Sequence, residues 1–198
     1  MRLFRYILLP LLIHTAEVKK VNSLRIATYD GENLSEDLSL HLAQLLAEVI
    51  ADGGSMGFFA DVTTTELNKF WASEFSKVRS GVNVLVCAMD PEDICIAAGI
   101  LTFETKANAR HRADVRKLMT HPQYRHMGIA SQILTRLEAI ASERGVSLLS
   151  LRTKEGSAAS VLYSRMGWIL MGSVPNYAAG PDRSLHSVAF YYKELITS

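Results

Sequence analysis

Strand and helix patterns alternate along most of the chain, and this alternation restricts the possible folds more than any other feature of the sequence. Apolar runs bounded by turn residues predict strands, whereas apolar residues at the helical period predict helices. The predicted strands are 24–29, 82–89, 94–105, 113–120, 146–153, 168–174 and 187–195, and the predicted helices are 35–50, 63–79, 129–144 and 157–166. We therefore expect an α/β fold in which a mixed central sheet of about seven strands is flanked by four helices, with a loop at 175–182 before the last strand.

The extent of the domain follows from length and from the character of the first residues. A chain of 198 residues, of which 48% are hydrophobic, can bury one sizeable core. The start of the chain stands apart, because two arginines precede the apolar run 7–13, which Pro10 interrupts. This run is far shorter than the roughly 20 residues that span a bilayer. We expect residues 1–20 to form an extension, either disordered or produced by a start codon placed too early, and residues 21–198 to form one cytoplasmic domain.

Charge and cysteine usage argue against several classes of function. The net charge of +1 gives no field that would attract nucleic acid or a membrane. The basic stretch 106–126 lacks the interleaved aromatics of a nucleic-acid site, so it suits either a solvated face or a small polyanion. Cys87 and Cys95 lie in apolar strand patterns and are expected to be buried thiols. Neither they nor the histidines have metal-site spacing, so we expect no metal.

The most informative motif joins the predicted strand 113–120 to the helix that follows it. Arg125, Gly128 and Ala130 stand in the pattern R-x-x-G-x-A where this helix begins. The first N–H groups of a helix have no partner within the helix, and with the helix dipole they attract anions. Gly128 permits close approach to the backbone, and Arg125 adds positive charge. This junction therefore favours a phosphate-bearing ligand, although the bare pattern is weak.

At this motif the sequence resembles the GNAT superfamily of acetyltransferases, and the resemblance covers roughly residues 23–195. It implies that acetyl-CoA is the co-substrate and that its pyrophosphate lies against the helix start, at Arg125, His126, Met127, Gly128, Ile129, Ala130 and Ser131. It also implies that backbone groups of Leu118, Met119 and Thr120 hold the pantetheine arm. The segment SAASVLYSRMGW resembles the second signature of the family, which places Ser157, Ala158 and Tyr163 beside the cofactor.

The resemblance also implies catalytic roles for a small number of residues. Tyr163 matches the family tyrosine that donates a proton to the departing thiolate, and a phenol, with a pKa of about 10, suits this role. The alternative is a tyrosine packed between helix and sheet. Asp114 and Glu104 are the candidate bases, and water, Glu155 or His186 remain open. Asp114 could instead pair with Arg112 or Arg116 on the strand surface.

The predicted acceptor is a small amine, and the residues expected to bind it lie outside the cofactor motifs. Within the superfamily, residues 42–61, the strand DVRKLM and the tail 175–195 resemble those of tabtoxin resistance proteins, which are small-molecule N-acetyltransferases. Arg152 stands where those proteins are acidic. The candidate acceptor-binding residues lie in two glycine-marked loops and nearby strands: Phe58, Phe59, Asp61, Arg152, Tyr177 and His186. We expect no nucleic-acid or membrane partner, and a homodimer is one possible assembly. The alternative function is a non-catalytic module that binds CoA or a partner.

Overall fold

The computed structural model describes residues 24–31 and 33–195, so the expected extension at residues 1–20 lies outside the described part. The strands are β1 (Arg25–Tyr29), β2 (Asn83–Met89), β3 (Cys95–Phe103), β4 (Arg112–Thr120), β5 (Leu148–Lys154), β6 (Ile169–Ala179) and β7 (Leu185–Glu194). The α-helices are α1 (Glu36–Ala51), α2 (Thr64–Arg79), α3 (Ile129–Glu143) and α4 (Ala158–Arg165). The predicted element order and the mixed α/β class are confirmed.

The strands form one sheet in the order β1-β2-β3-β4-β5-β7-β6. Its pairs are antiparallel except for β4 with β5, which is parallel. One face packs against α3 through a cluster that includes Val84, Leu101, Ile133 and Leu137. The opposite face packs against α1 and α2 through a separate cluster that includes Leu46, Trp71 and Ile100. Burying apolar surface on both faces explains why β2 after Asn83 and most of β3 are continuously apolar and buried.

The helix starts follow the capping residues that the sequence offers. Ser35 Oγ accepts a hydrogen bond from Leu38 N at 3.1 Å, which begins α1. Thr63 and Glu66 form a reciprocal capping box that begins α2. At the far end of α3, Gly145 has a φ of +74°, as expected for a glycine that ends a helix.

A β-bulge interrupts the pairing of β3 with β4. Ala98 lies opposite Met119 and Ile100 opposite Arg116, so two residues of β4, Lys117 and Leu118, are accommodated opposite Gly99. Lys117 has a φ of +52°, which is unusual for a non-glycine residue. A Cβ on Gly99 would lie 2.9 Å from side-chain atoms of α3, so glycine permits the helix to pack closely here.

One prediction about the last hairpin is wrong. The predicted loop at 175–182 is strand as far as Ala179, and the connection is a short turn at 180–184. Strand β6 lies at the edge of the sheet. Pro175 has no N–H to donate, and an edge strand tolerates this because one of its sides pairs with no other strand. The register shifts between Val174 and Ala178, so the extra residues are taken up as a bulge. Proline and glycine therefore marked a bulged edge strand and not a long loop.

Cys87 and Cys95 are both buried, and burial raises the pKa of the Cys87 thiol well above its ordinary value. In the described part of the chain, no helix has the length and apolar character needed to cross a membrane. No group of three or more His, Cys, Asp or Glu side chains is arranged to hold a metal ion within residues 24–31 and 33–195.

Candidate active site

A cleft opens in the middle of the sheet where β4 and β5 diverge. In the described structure these strands pair only at Arg112 with Leu148, Ala113 with Leu149 and Asp114 with Ser150. Beyond these pairs β4 continues to Thr120 and β5 to Lys154. Backbone groups on the β5-facing edge of β4 are therefore left for a ligand, because strands need hydrogen-bond partners along both edges. The predicted pantetheine-binding residues Leu118, Met119 and Thr120 lie on this part of β4.

The N-terminus of α3 lies just after the open end of β4. Gly128 is the N-cap residue, with a φ of +75°, and no side chain makes a capping hydrogen bond. A Cβ on Gly128 would meet nothing within 4 Å, so the space above it is open. His126, with a φ of +63°, turns the backbone into the helix. The N–H groups of the first turn, over Ile129–Ser131, are thus directed at an open site of the kind that binds phosphate.

Arg125 is held by protein groups at this turn. Its guanidinium pairs with the Asp52 carboxylate at the end of α1, and its Nε lies 3.4 Å from the carbonyl oxygen of Thr120. The guanidinium of Arg125, which was expected to contact the phosphates, is therefore already paired with the carboxylate of Asp52. The backbone of residues 126–131 is therefore left as the main candidate for anion binding.

Tyr163 lies in the interior between α4 and the sheet. Its ring centroid is 6.0 Å from that of Trp168 and 5.8 Å from that of Tyr191, and the residue is 5% exposed. Burial raises the pKa of the Tyr163 phenol above its ordinary value, so the hydroxyl keeps its proton across the physiological range. Ser157, predicted to lie beside the cofactor, caps α4 through a 3.3 Å hydrogen bond from Ser160 N. Ala158 is the first residue of that helix.

Residues 80–170, which include this cleft, match a family model described as an acetyltransferase (GNAT) domain. This part of the chain is therefore similar to a GNAT acetyltransferase domain. The expectations of the GNAT fold and of an acyltransferase enzyme are therefore confirmed. The matched region contains both signatures on which the sequence resemblance was based, the start of α3 and the helix α4.

Solved structures agree with the fold of this GNAT domain. An acetyltransferase of the GNAT family from Streptococcus pneumoniae is 19% identical, with a TM-score of 0.70 over 87% of this chain and 100% of that one. A Salmonella typhimurium protein, whose structure contains its cofactor acetyl-CoA, is 11% identical, with a TM-score of 0.69 over 88% and 95%. A ribosomal-protein-alanine N-acetyltransferase from Brucella melitensis is 18% identical, with a TM-score of 0.68 over 87% and 99%. At these identities the similarity establishes the fold.

The two candidate bases of the GNAT domain line one cavity of about 290 Å³. Ser150 Oγ donates a hydrogen bond to Asp114, while Arg112 lies 4.0 Å from Glu104, so the predicted alternative of an Asp114–arginine pair is not formed. Backbone N–H groups of residues 105 and 106 lower the pKa of Glu104, which makes it a weaker base. Asp114 lies four residues before Leu118, about 13 Å along a strand, so a water relay would have to link it to the thioester region.

The two glycine-marked loops predicted to bind the acceptor are in contact. Ala60 N donates a 2.9 Å hydrogen bond to the carbonyl oxygen of Pro181. Asp61 forms an exposed 2.7 Å ion pair with Arg183, whose guanidinium lies 4.2 Å from the Phe59 ring centroid. Asp61 and Phe59 are thereby engaged in joining the loops.

Deeper between the loops, His186 Nε2 lies 3.4 Å from Ser55 Oγ. The buried Nδ1 atom of His186 has no hydrogen-bond partner among the described residues. Tyr177 packs edge-on against Phe190 at 5.2 Å, and Phe190 lies directly opposite Arg152 in the β5–β7 register. His186 and Arg152 are therefore the polar candidates left near the aromatic rings.

Lys117 is a candidate site residue that the sequence alone does not indicate. Its ammonium donates to the carbonyl oxygen of Met56 and lies 5.2 Å from the Phe58 ring centroid and 4.9 Å from that of Phe70. The bulge of β4 turns this side chain toward the loop before α2, and no pattern in the sequence indicates a bulge at this point. Because Arg112, Asp114 and Arg116 in the same strand are charged as well, the charge of Lys117 did not distinguish it in the sequence.

Proposed function

We propose that this chain transfers the acetyl group of acetyl-CoA to the amine of a small, amino-acid-like molecule, by direct attack within one ternary complex. The observation that carries the proposal is the cleft between β4 and β5, which begins at an uncapped helix N-terminus and has the two joined loops beside it. The helix start suits a pyrophosphate, and the open edge of β4 suits the amide groups of a pantetheine arm. The GNAT domain match supports the same co-substrate.

In the proposed reaction the neutral amine attacks the thioester carbonyl, and the thiolate of CoA leaves. The Tyr163 phenol, which burial keeps protonated, donates a hydrogen bond to this thiolate, and the proton released by the attacking nitrogen completes the free thiol of CoA. Asp114 accepts the proton of the acceptor ammonium through water, and it suits this role better than Glu104, whose carboxylate is stabilised by backbone N–H groups. Holding both substrates together supplies much of the rate enhancement.

The proposed acceptor lies between the 55–59 loop and the last hairpin. Phe58, Tyr177 and Phe190 give apolar walls, and Arg152 gives a positive charge on the sheet face between them. Small-ligand sites commonly combine such walls with a few polar groups that set orientation. The likeness to tabtoxin resistance proteins supports a small acceptor, whereas the arginine at position 152 favours a carboxylate on that acceptor.

Arg152→Ala tests the acceptor class. Loss of a charge-assisted hydrogen bond of about 1.5–3 kcal/mol should raise KM about 10- to 100-fold for amino acids and leave KM for primary amines without a carboxylate nearly unchanged. The control is Arg165→Ala, which removes an exposed arginine at the end of α4. Efficient acetylation of polyamines or basic peptides, without turnover of any amino acid, would refute the proposed acceptor and leave the acetyltransferase assignment in place.

A further inference from the structure

We propose that Lys117 and Arg152 form a two-cation subsite that binds the carboxylate of the acceptor and thereby selects amines that carry a carboxylate. This inference rests on the proposed function, which it makes more specific. Lys117 comes from the bulge of β4 and Arg152 from the neighbouring strand β5, so the subsite lies across the cleft where the two strands have diverged.

The first observation is that neither cation has an anionic partner. In the described structure no carboxylate forms an ion pair with Lys117 or Arg152, whereas many other arginines are paired. Glu74, the acid that acts electrostatically on Lys117, is already bound by Lys77, Asn83 and Arg116. An unpaired ammonium in a partly buried position is unfavourable and commonly marks a functional site.

The second observation is the set of groups around the ammonium. The Met56 carbonyl and the rings of Phe58 and Phe70 stabilise a cation without neutralising it. Burial, with the like charges of Arg116 and Arg152, lowers the pKa of Lys117 to about 8, and Glu74 opposes this shift. A bound carboxylate would relieve both the desolvation and the repulsion between the two cations.

The third observation is the location of Lys117 relative to the loop. A Cβ on Gly57 would lie 3.6 Å from its Nζ atom, so a glycine stands directly beside the ammonium. The same loop touches His186 through Ser55. Lys117 therefore borders the space in which the proposed acceptor would lie. The competing explanation is that Lys117 only fastens the loop to the sheet.

The experiment compares an amino acid with its primary amide as acceptors, in the full chain with saturating acetyl-CoA. Lys117→Met should raise KM for the amino acid about tenfold or more and change KM for the amide by less than about twofold, because the amide has no carboxylate for the lysine to bind. Lys117→Arg should restore much of the discrimination. Lys154→Met, at the end of β5, is the control for loss of a nearby exposed lysine.

A pH series distinguishes binding of the acceptor carboxylate by Lys117 from a role in which Lys117 only attaches the loop to the sheet. As pH rises from 7 to 9, Lys117 loses its charge, so KM for the amino acid should rise in the wild type relative to Lys117→Arg, whose cation persists. The charged groups that act on this ammonium are Arg116, Glu74 and Arg152. The amide, measured in the same two proteins, should show no such divergence.

Equal increases of KM for the amino acid and the amide in Lys117→Met would overturn the proposal, because they indicate only a displaced loop. Calorimetry of the amino acid with the CoA-saturated protein gives a readout that does not need turnover. Binding that requires Lys117, without acetylation of any amine, would support the subsite and refute the proposed function. The subsite proposal would be overturned if Lys117→Met changed neither KM nor the affinity for the amino acid. It would also be overturned if the wild-type protein neither bound nor acetylated any amino acid.

Discussion

At the scale of single residues, Tyr163 combines a buried ring with a hydroxyl to which we assign a chemical role. Tyr191 shares its cluster, and the two ring centroids are 5.8 Å apart. Tyr163→Phe should therefore retain packing but lower kcat 10- to 100-fold, a barrier increase of about 1.4–2.8 kcal/mol, with unchanged acetyl-CoA affinity. Tyr191→Phe is the matched control and should keep kcat. Steady-state kinetics in which both variants keep wild-type kcat would return Tyr163 to a packing role.

The sequence predicted site residues that belong to recognisable motifs, but it did not predict the positions of residues that depend on tertiary structure. Gly128 and Tyr163 could be found because each lies at a fixed distance from a helix start. Lys117 could not, because its direction depends on a bulge whose cause is the pairing of β3 with β4. Asp61 was selected for its charge, but the structure pairs it with Arg183, a partner 122 residues away.

At the scale of secondary-structure elements, the start of α3 is the element that binds the pyrophosphate in our account. Gly128→Val places a β-branched residue at a left-handed backbone position and fills the space above the first turn. We expect at least a tenfold loss of CoA affinity by calorimetry, the equivalent of about 1.4 kcal/mol. Gly145→Val introduces the same conformational strain after the other end of α3, also in open space, and should keep CoA affinity. Similar losses in both variants would indicate general destabilisation and contradict the assignment.

Helices with strong periodicity were predicted within a few residues, as in α1, α2 and α3. Capping residues also marked the starts of α1 and α2. Strand β6 was cut short because Pro175 and the glycine at 180 suggested a loop. An edge strand has one row of N–H groups without partners in the sheet, so proline is tolerated there. Whether a strand lies at an edge is a property of the sheet and cannot be read from the strand itself.

At the scale of the whole molecule, the sheet creates the candidate site by separating two of its own strands. The order of elements was sufficient to predict a mixed sheet, since a helix between β4 and β5 permits parallel pairing. The divergence of these strands after Asp114 and Ser150, and the contact between the loops at Ala60 and Pro181, depend on packing across the molecule. These features determine the acceptor site, which is why the sequence indicated the co-substrate more sharply than the acceptor.

The central claim is that the chain transfers acetyl from acetyl-CoA to a small amine. The most direct test is mass spectrometry of a reaction containing the full chain, acetyl-CoA and a set of amino acids, with release of free CoA measured in parallel. Our account predicts an N-acetylated amino acid formed in equal amount to free CoA, and no CoA release above background when the amine is omitted. CoA binding without any acetylated amine, or CoA release that is independent of the amine, would contradict it.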